Sequence, residues 1–76
     1  MREFDVELRP NQEFIELQSA LKVGSLIDTG GQAKQFLIVN KVLVNGEFEN
    51  RRGRKLYPGD VVEVLELKTK LKVVKP

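Results

Sequence analysis

The sequence predicts a small α+β domain, two short helices packed on a small, mostly antiparallel sheet. Three observations carry this. Apolar and polar residues alternate near both ends of the chain, the period of strands with one wet face. Two segments between them switch to helical spacing. An Asn-Gly pair, Asn45-Gly46, follows the second helical segment and marks a tight hairpin, because both residues accept positive φ.

Phe4, Val6 and Leu8 alternate with Asp5, Glu7 and Arg9 as a first strand, which Pro10-Asn11 breaks. Phe14, Ile15 and Leu17 read as an extended piece running into a helix over about residues 16 to 23. Leu17, Ala20 and Leu21 share one helical face, Lys22 lies off it, and Gly24 ends the helix. Leu26 and Ile27 are expected to be buried between the helices. A second helix would begin near Thr29, whose hydroxyl can accept an orphan backbone N–H. Ala33, Phe36 and Leu37 form its buried stripe, and Asn40 stops it, since Asn tolerates the left-handed conformation.

Val42 and Val44 then alternate with Lys41 and Leu43, and Phe48 carries the return strand of the hairpin. Tyr57-Pro58-Gly59-Asp60 has Pro second and Gly third, the signature of a type II turn. Val61, Val62, Val64 and Leu65 make a β-branched strand. Lys68-Thr69-Lys70 reads as a polar turn, and Leu71, Val73 and Val74 as the last strand, with Lys72 and Lys75 on its wet side.

The 76 residues make one small domain. Cysteine and histidine are absent, which removes disulfides, thiolate metal sites and the commonest general base. No apolar run approaches membrane-spanning length, and the opening MREFDVELR is no signal peptide. A cytoplasmic protein is expected, with a monomer as the default, no membrane partner and no cofactor. The acids Asp28, Asp60, Glu63 and Glu66 are scattered without an evident partner, so no enzymatic activity is expected. Asp60 is expected to bond within its own turn.

The net charge of +2 hides an asymmetry. Residues 1–50 hold five basic and eight acidic side chains, whereas residues 51–76 hold eight basic and three acidic. Arg51, Arg52, Arg54 and Lys55 fall within five positions around Gly53. Arginine matches phosphate with a planar donor fork, so several on one loop suit a nucleic-acid backbone. A second anion-binding element is Thr29-Gly30-Gly31-Gln32 ahead of the helix, where two glycines expose backbone N–H groups beside Lys34. Tyr57 could add a stacking face or belong to the core. Few exposed aromatics are expected, which favours reading of phosphate positions and shape, as on folded RNA.

The ordered set T-G-G-Q-A-K-Q-F-L, V-L-V-N-G and R-R-G-R-K-L-Y-P-G-D-V-V-E-V resembles the RNA-binding domain named after small-subunit ribosomal protein S-four. Thr29, Ala33, Lys34, Val42, Val44, Asn45, Gly46, Gly59 and Asp60 match its pattern in order and spacing, over about residues 16 to 66. The chain is most similar to short, free-standing bacterial members of the YaaA and YbcJ type. The resemblance implies an L-shaped helix–helix–hairpin motif that grips structured RNA, ribosomal or tRNA-like, on the ribosome or an assembly intermediate. It implies that Thr29, Gly30, Gly31, Gln32, Lys34 and the loop of Arg51, Arg52, Arg54 and Lys55 face that RNA, with Lys22 alongside. Gly30 stands where the family carries an arginine, so one usual side-chain contact is missing or replaced by backbone N–H. An adaptor of β-grasp type, binding protein rather than nucleic acid, is the alternative, and charge alone does not separate RNA from DNA. The RNA reading requires the arginine loop and the start of the second helix to share one solvent-facing cationic surface.

Overall fold

Valine and leucine density near the C-terminus decides the centre of the sheet. In a computed structural model describing residues 1–76, the strands are β1 (Arg2–Glu7), β2 (Ile15–Glu16), β3 (Val42–Val44), β4 (Glu47–Phe48), β5 (Lys55–Leu56), β6 (Val61–Val64) and β7 (Thr69–Val74). The helices are α1 (Leu17–Val23) and α2 (Ala33–Val39), with 3-10 turns at Gly30–Gln32 and Leu65–Leu67. Five strands form one sheet in the order β1-β7-β6-β3-β4, and β2 pairs with β5 as a separate two-stranded ribbon. Every pairing is antiparallel except β1 with β7, so the sheet is mixed and mostly antiparallel, as expected.

Register puts Val6, Leu71, Val62 and Val44 on one face, and all four are buried. The helices contribute Leu17, Ala20, Leu21, Ala33 and Leu37 to the same buried cluster of 16 residues, and Leu26 and Phe36 pack against it. The other face is wet. On it Lys70 is in register with Glu3 on β1 and Glu63 on β6, and Lys72 with Asp5. Opposite charges thus face one another across the strands.

The two predicted turns form and are tied together. Asn45 and Gly46 have φ of 52° and 85°, and Gly59 has φ of 97°. Asp60 accepts the Tyr57 N–H at 2.8 Å, bonding its own turn. Its other carboxylate oxygen accepts from the Asn45 amide at 3.0 Å, while the Asn45 amide oxygen accepts the Val61 N–H at 2.9 Å. One asparagine therefore makes the hairpin and staples it to the next turn.

Four details differ from the sequence reading. Asn40 is extended, with φ −110° and ψ 143°, rather than left-handed. Its N–H and its side-chain amide both reach the Phe36 carbonyl, which ends the helix without a special backbone conformation. The turn beginning at Thr29 is 3-10 before it becomes α-helical. Leu65 leaves the strand for a 3-10 turn, because the chain reverses at Leu65–Lys68 and Lys68 takes the left-handed φ of 48°. Thr69 consequently belongs to β7, buried, with its hydroxyl donating to the Leu67 carbonyl at 2.9 Å.

Gly24 ends α1 for a reason unrelated to positive φ, since its φ is −76°. A Cβ there would stand 2.8 Å from Cδ2 of Leu71, which is fully buried. The left-handed residue is the next one, Ser25, at φ 62°. Gly24→Ala is expected to destabilise the fold by about 1–3 kcal/mol through overpacking. Ser25→Gly should leave stability unchanged or raise it by up to ~1 kcal/mol. Urea unfolding midpoints check both signs, and a stabilised Gly24→Ala protein would show that Leu71 can yield.

Candidate nucleic-acid interface

The arginine loop is fastened to the start of α1 by backbone. An α-helix leaves its first N–H groups without internal partners. In α1 the cap residue Glu16 supplies no side-chain bond. Instead the Leu17 N–H donates to the Arg54 carbonyl at 2.8 Å and the Gln18 N–H to the Arg52 carbonyl at 2.9 Å. The antiparallel pairs Ile15–Leu56 and Glu16–Lys55 continue the same seam. The loop's side chains are thereby left on the outside: Arg51, Arg52 and Lys55 are exposed and Arg54 is half-buried.

Gln18 joins the second element to this seam. Its amide NH2 donates to Glu16 at 2.8 Å, and its amide oxygen stands 3.6 Å from where a Cβ on Gly30 would be. The Arg52 backbone and Gly30 are therefore neighbours of one residue. Lys22 lies one turn along α1 from Gln18, on the same side of the helix, and is exposed. Lys34 is exposed on the first turn of α2 beside the fully buried Ala33. A Cβ at position 30 would meet Gln18 only in ordinary van der Waals contact, so packing does not explain glycine where the family pattern has arginine.

The segment ahead of α2 is closed by a capping box between Thr29 and Gln32, the Thr29 side chain facing the Gln32 N–H and the Gln32 side chain reaching back to the Thr29 N–H. The Gln32 amide oxygen accepts the N–H groups of Asp28 at 2.7 Å and Thr29 at 3.3 Å, and the Gln32 N–H donates to the Thr29 carbonyl at 3.1 Å. The side-chain NH2 of Gln32 remains its available end. Thr29 and Gly31 are exposed and Gly30 is half-buried.

The cationic loop contains a buried acid that sequence reasoning missed. Glu49 is 7% exposed. Its Oε1 accepts from Arg51 Nη2 at 2.9 Å and Arg54 Nη1 at 2.8 Å, and its Oε2 accepts from Arg51 Nε and the Arg51 N–H, both at 3.0 Å. The Arg51 hydrogen bond, reinforced by Arg54 and opposed by burial, lowers the Glu49 carboxyl from 4.5 to about 2. The same contact raises the Arg51 guanidinium above its ordinary value. The signal was present as Glu49, Arg51 and Arg54 in E-x-R-x-x-R, an acid at the foot of an arginine run.

Two further features bear on the charge. The ammonium of Lys55 lies 4.9 Å from the Phe14 ring centroid, and Phe14 packs on Tyr57 at 5.9 Å. Tyr57 is 49% exposed, and Phe4 and Phe48 are exposed too, which is more aromatic surface than expected. The lysines of β7 lie on the wet sheet face in register with acids, so part of the C-terminal excess of positive charge is matched there. No helix is long and apolar enough to cross a membrane, and no cluster of acidic side chains could hold a metal ion.

Glu49 makes stability depend on acid. Because its folded pKa is the lower one, its contribution is full above the unfolded value of 4.5 and is lost as pH falls from there towards about 2. Urea melts across that window should show a falling midpoint in the wild type and a shallower fall in Glu49→Gln. Equal slopes would mean that other carboxylates carry the acid sensitivity.

Comparison with known proteins identifies the family. The family model described as "S4 domain" matches residues 7–74, nearly the whole chain. A Bacillus subtilis (strain 168) protein, "Probable ribosome maturation protein RlbA", is 58% identical over 52 residues, covering 68% of this chain and 73% of the relative. No solved structure gives a significant match. The motif order, the fold and the span of the family match lead to one conclusion: the chain belongs to the S4-domain family.

Proposed function

We propose that this protein is a non-catalytic binder of folded RNA, acting on ribosomal RNA or on a ribosome-assembly intermediate. The observation that carries the reading is the meeting of the Arg52 backbone and Gly30 at Gln18, which joins the arginine loop and the segment ahead of α2 as one neighbourhood. Lys22, Lys34, Arg52 and Lys55 are the exposed cations around it, and none of them is in an ion pair. Thr29, Gly30, Gly31 and the free end of Gln32 supply the neutral donors. Phosphates in a folded RNA present themselves at fixed spacings, and a rigid set of donors reads that spacing rather than base identity. The ribosome enters through the relative, whose name speaks of ribosome maturation. A cytoplasmic location follows from that role.

Arg51 and Arg54 make poor probes of this surface. Reversing their charge would strand the buried Glu49 among like charges and disturb the fold itself. Arg52 and Lys55 carry no such duty. The double variant Arg52→Glu/Lys55→Glu is expected to keep its urea midpoint within about 0.5 kcal/mol, the usual range for surface changes. Its affinity for purified ribosomal RNA should fall by on the order of tenfold per lost contact. The salt dependence of binding should become shallower by about 1 for each phosphate contact removed. Lys34→Glu should act in the same direction. Filter binding over a salt series measures all of this. Undiminished RNA binding by the double variant, or no salt-sensitive RNA binding by the wild type, would refute the proposal and leave the protein adaptor as the better account.

A further inference from the structure

We infer that Glu49 is a positioning residue that builds a phosphodiester-binding site from Arg51 and Arg54, an inference that rests on the RNA-binding function proposed above. An acid inside a surface for a polyanion is at first sight a defect, since it removes positive charge where the ligand is negative. Its geometry suggests otherwise. A carboxylate has about four acceptor positions. Glu49 uses four hydrogen bonds, three of them from Arg51, counting its backbone N–H. With its side chain 5% exposed, Glu49 sits beneath the loop and not among the groups a ligand would meet.

The donors left over define the site. A guanidinium has five N–H donors in one plane. Arg51 spends its Nε edge on Glu49, through Nε and one N–H of Nη2. The opposite edge, Nη1 with the second N–H of Nη2, is a complete two-pronged fork, and the side chain is 71% exposed. Arg54 gives only one Nη1 hydrogen to Glu49 and keeps four N–H donors, at 30% exposure. Arg51, Gly53, Arg54 and Lys55 line an open concavity of ≈ 490 Å³. Gly53 contributes no side chain, and a Cβ there would meet nothing. Three cationic side chains thus surround a hollow, two of them held by one anchored acid. A free arginine must order several rotatable bonds on binding, whereas these two are ordered beforehand.

The test uses the sign of an affinity change. If Glu49 only subtracts charge, Glu49→Gln raises the net charge by one and tightens binding to RNA. If it positions the arginines, the same variant binds more weakly despite its extra positive charge. We expect purified ribosomal RNA to bind Glu49→Gln roughly tenfold more weakly than wild type, about the worth of one charge-assisted contact. The salt slope should become shallower by about 1. Circular dichroism melts establish that the variant is folded at the assay temperature. If it is not, Arg51→Lys serves in its place. It keeps the charge and leaves Glu49 a partner, but an ammonium cannot grip a carboxylate on one edge and a phosphate on the other. A positioning role predicts a similar loss for Arg51→Lys, and a charge-only role predicts none. Equal or tighter RNA binding by the folded variant, with the wild type binding normally, overturns the inference and leaves the proposed function standing. A wild type that fails to bind RNA overturns both.

Discussion

Two backbone hydrogen bonds, from Leu17 to Arg54 and from Gln18 to Arg52, hold the arginine loop against the start of α1. They do two tasks at once. They satisfy two of the orphan donors of α1, which has no side-chain cap, and they tie down a loop of four cations. A solvated run of arginines would ordinarily repel itself into an extended, mobile segment. Here its carbonyls serve as the cap of a neighbouring helix, so its backbone follows the packing of Leu17, Ala20 and Leu21 into the core. Core and surface are coupled through peptide groups, and Arg51 and Arg54 add a side-chain tie to the buried Glu49.

Two populations of positive charge stand apart in the chain. The β7 lysines lie on the wet face of the sheet, across from Glu3, Asp5 and Glu63. These pairings suit the sheet and dilute the field on that side. The cations of the loop, with Lys22 and Lys34, belong to the other population, and among them only Glu49 is an anchoring acid. A count of charges along the sequence merges the two, which is why net charge alone is a poor guide to where a polyanion would sit.

Much of the fold was legible because local chemistry and tertiary structure agree. Asn45-Gly46 and Pro58-Gly59 demand their backbone conformations whatever surrounds them, and both turns form as read. The strands of β-branched residues and the faces of both helices also follow from period alone. The misreadings share a cause: each depends on a distant or alternative partner. Asn40 looked like a left-handed stop, but its amide found the Phe36 carbonyl. Glu49 was counted as one more acid of the N-terminal part, because no periodicity shows that a hairpin will turn it under Arg51 and Arg54. Gly24 ends α1 as read, but what requires glycine there is the close approach of Leu71, 47 positions away in the chain.

The parallel pairing of β1 with β7 has a kinetic meaning. It joins the two ends of the chain, with the helices, hairpin and arginine loop between them. Closing so long a loop is entropically unfavourable until the intervening segments have condensed. The first strand is therefore expected to arrive late in folding and to depart early in unfolding, a latch fitted after the rest of the body has taken shape. Defects confined to Phe4 or Val6 would shorten the lifetime of the native state while leaving the rate of its formation almost untouched.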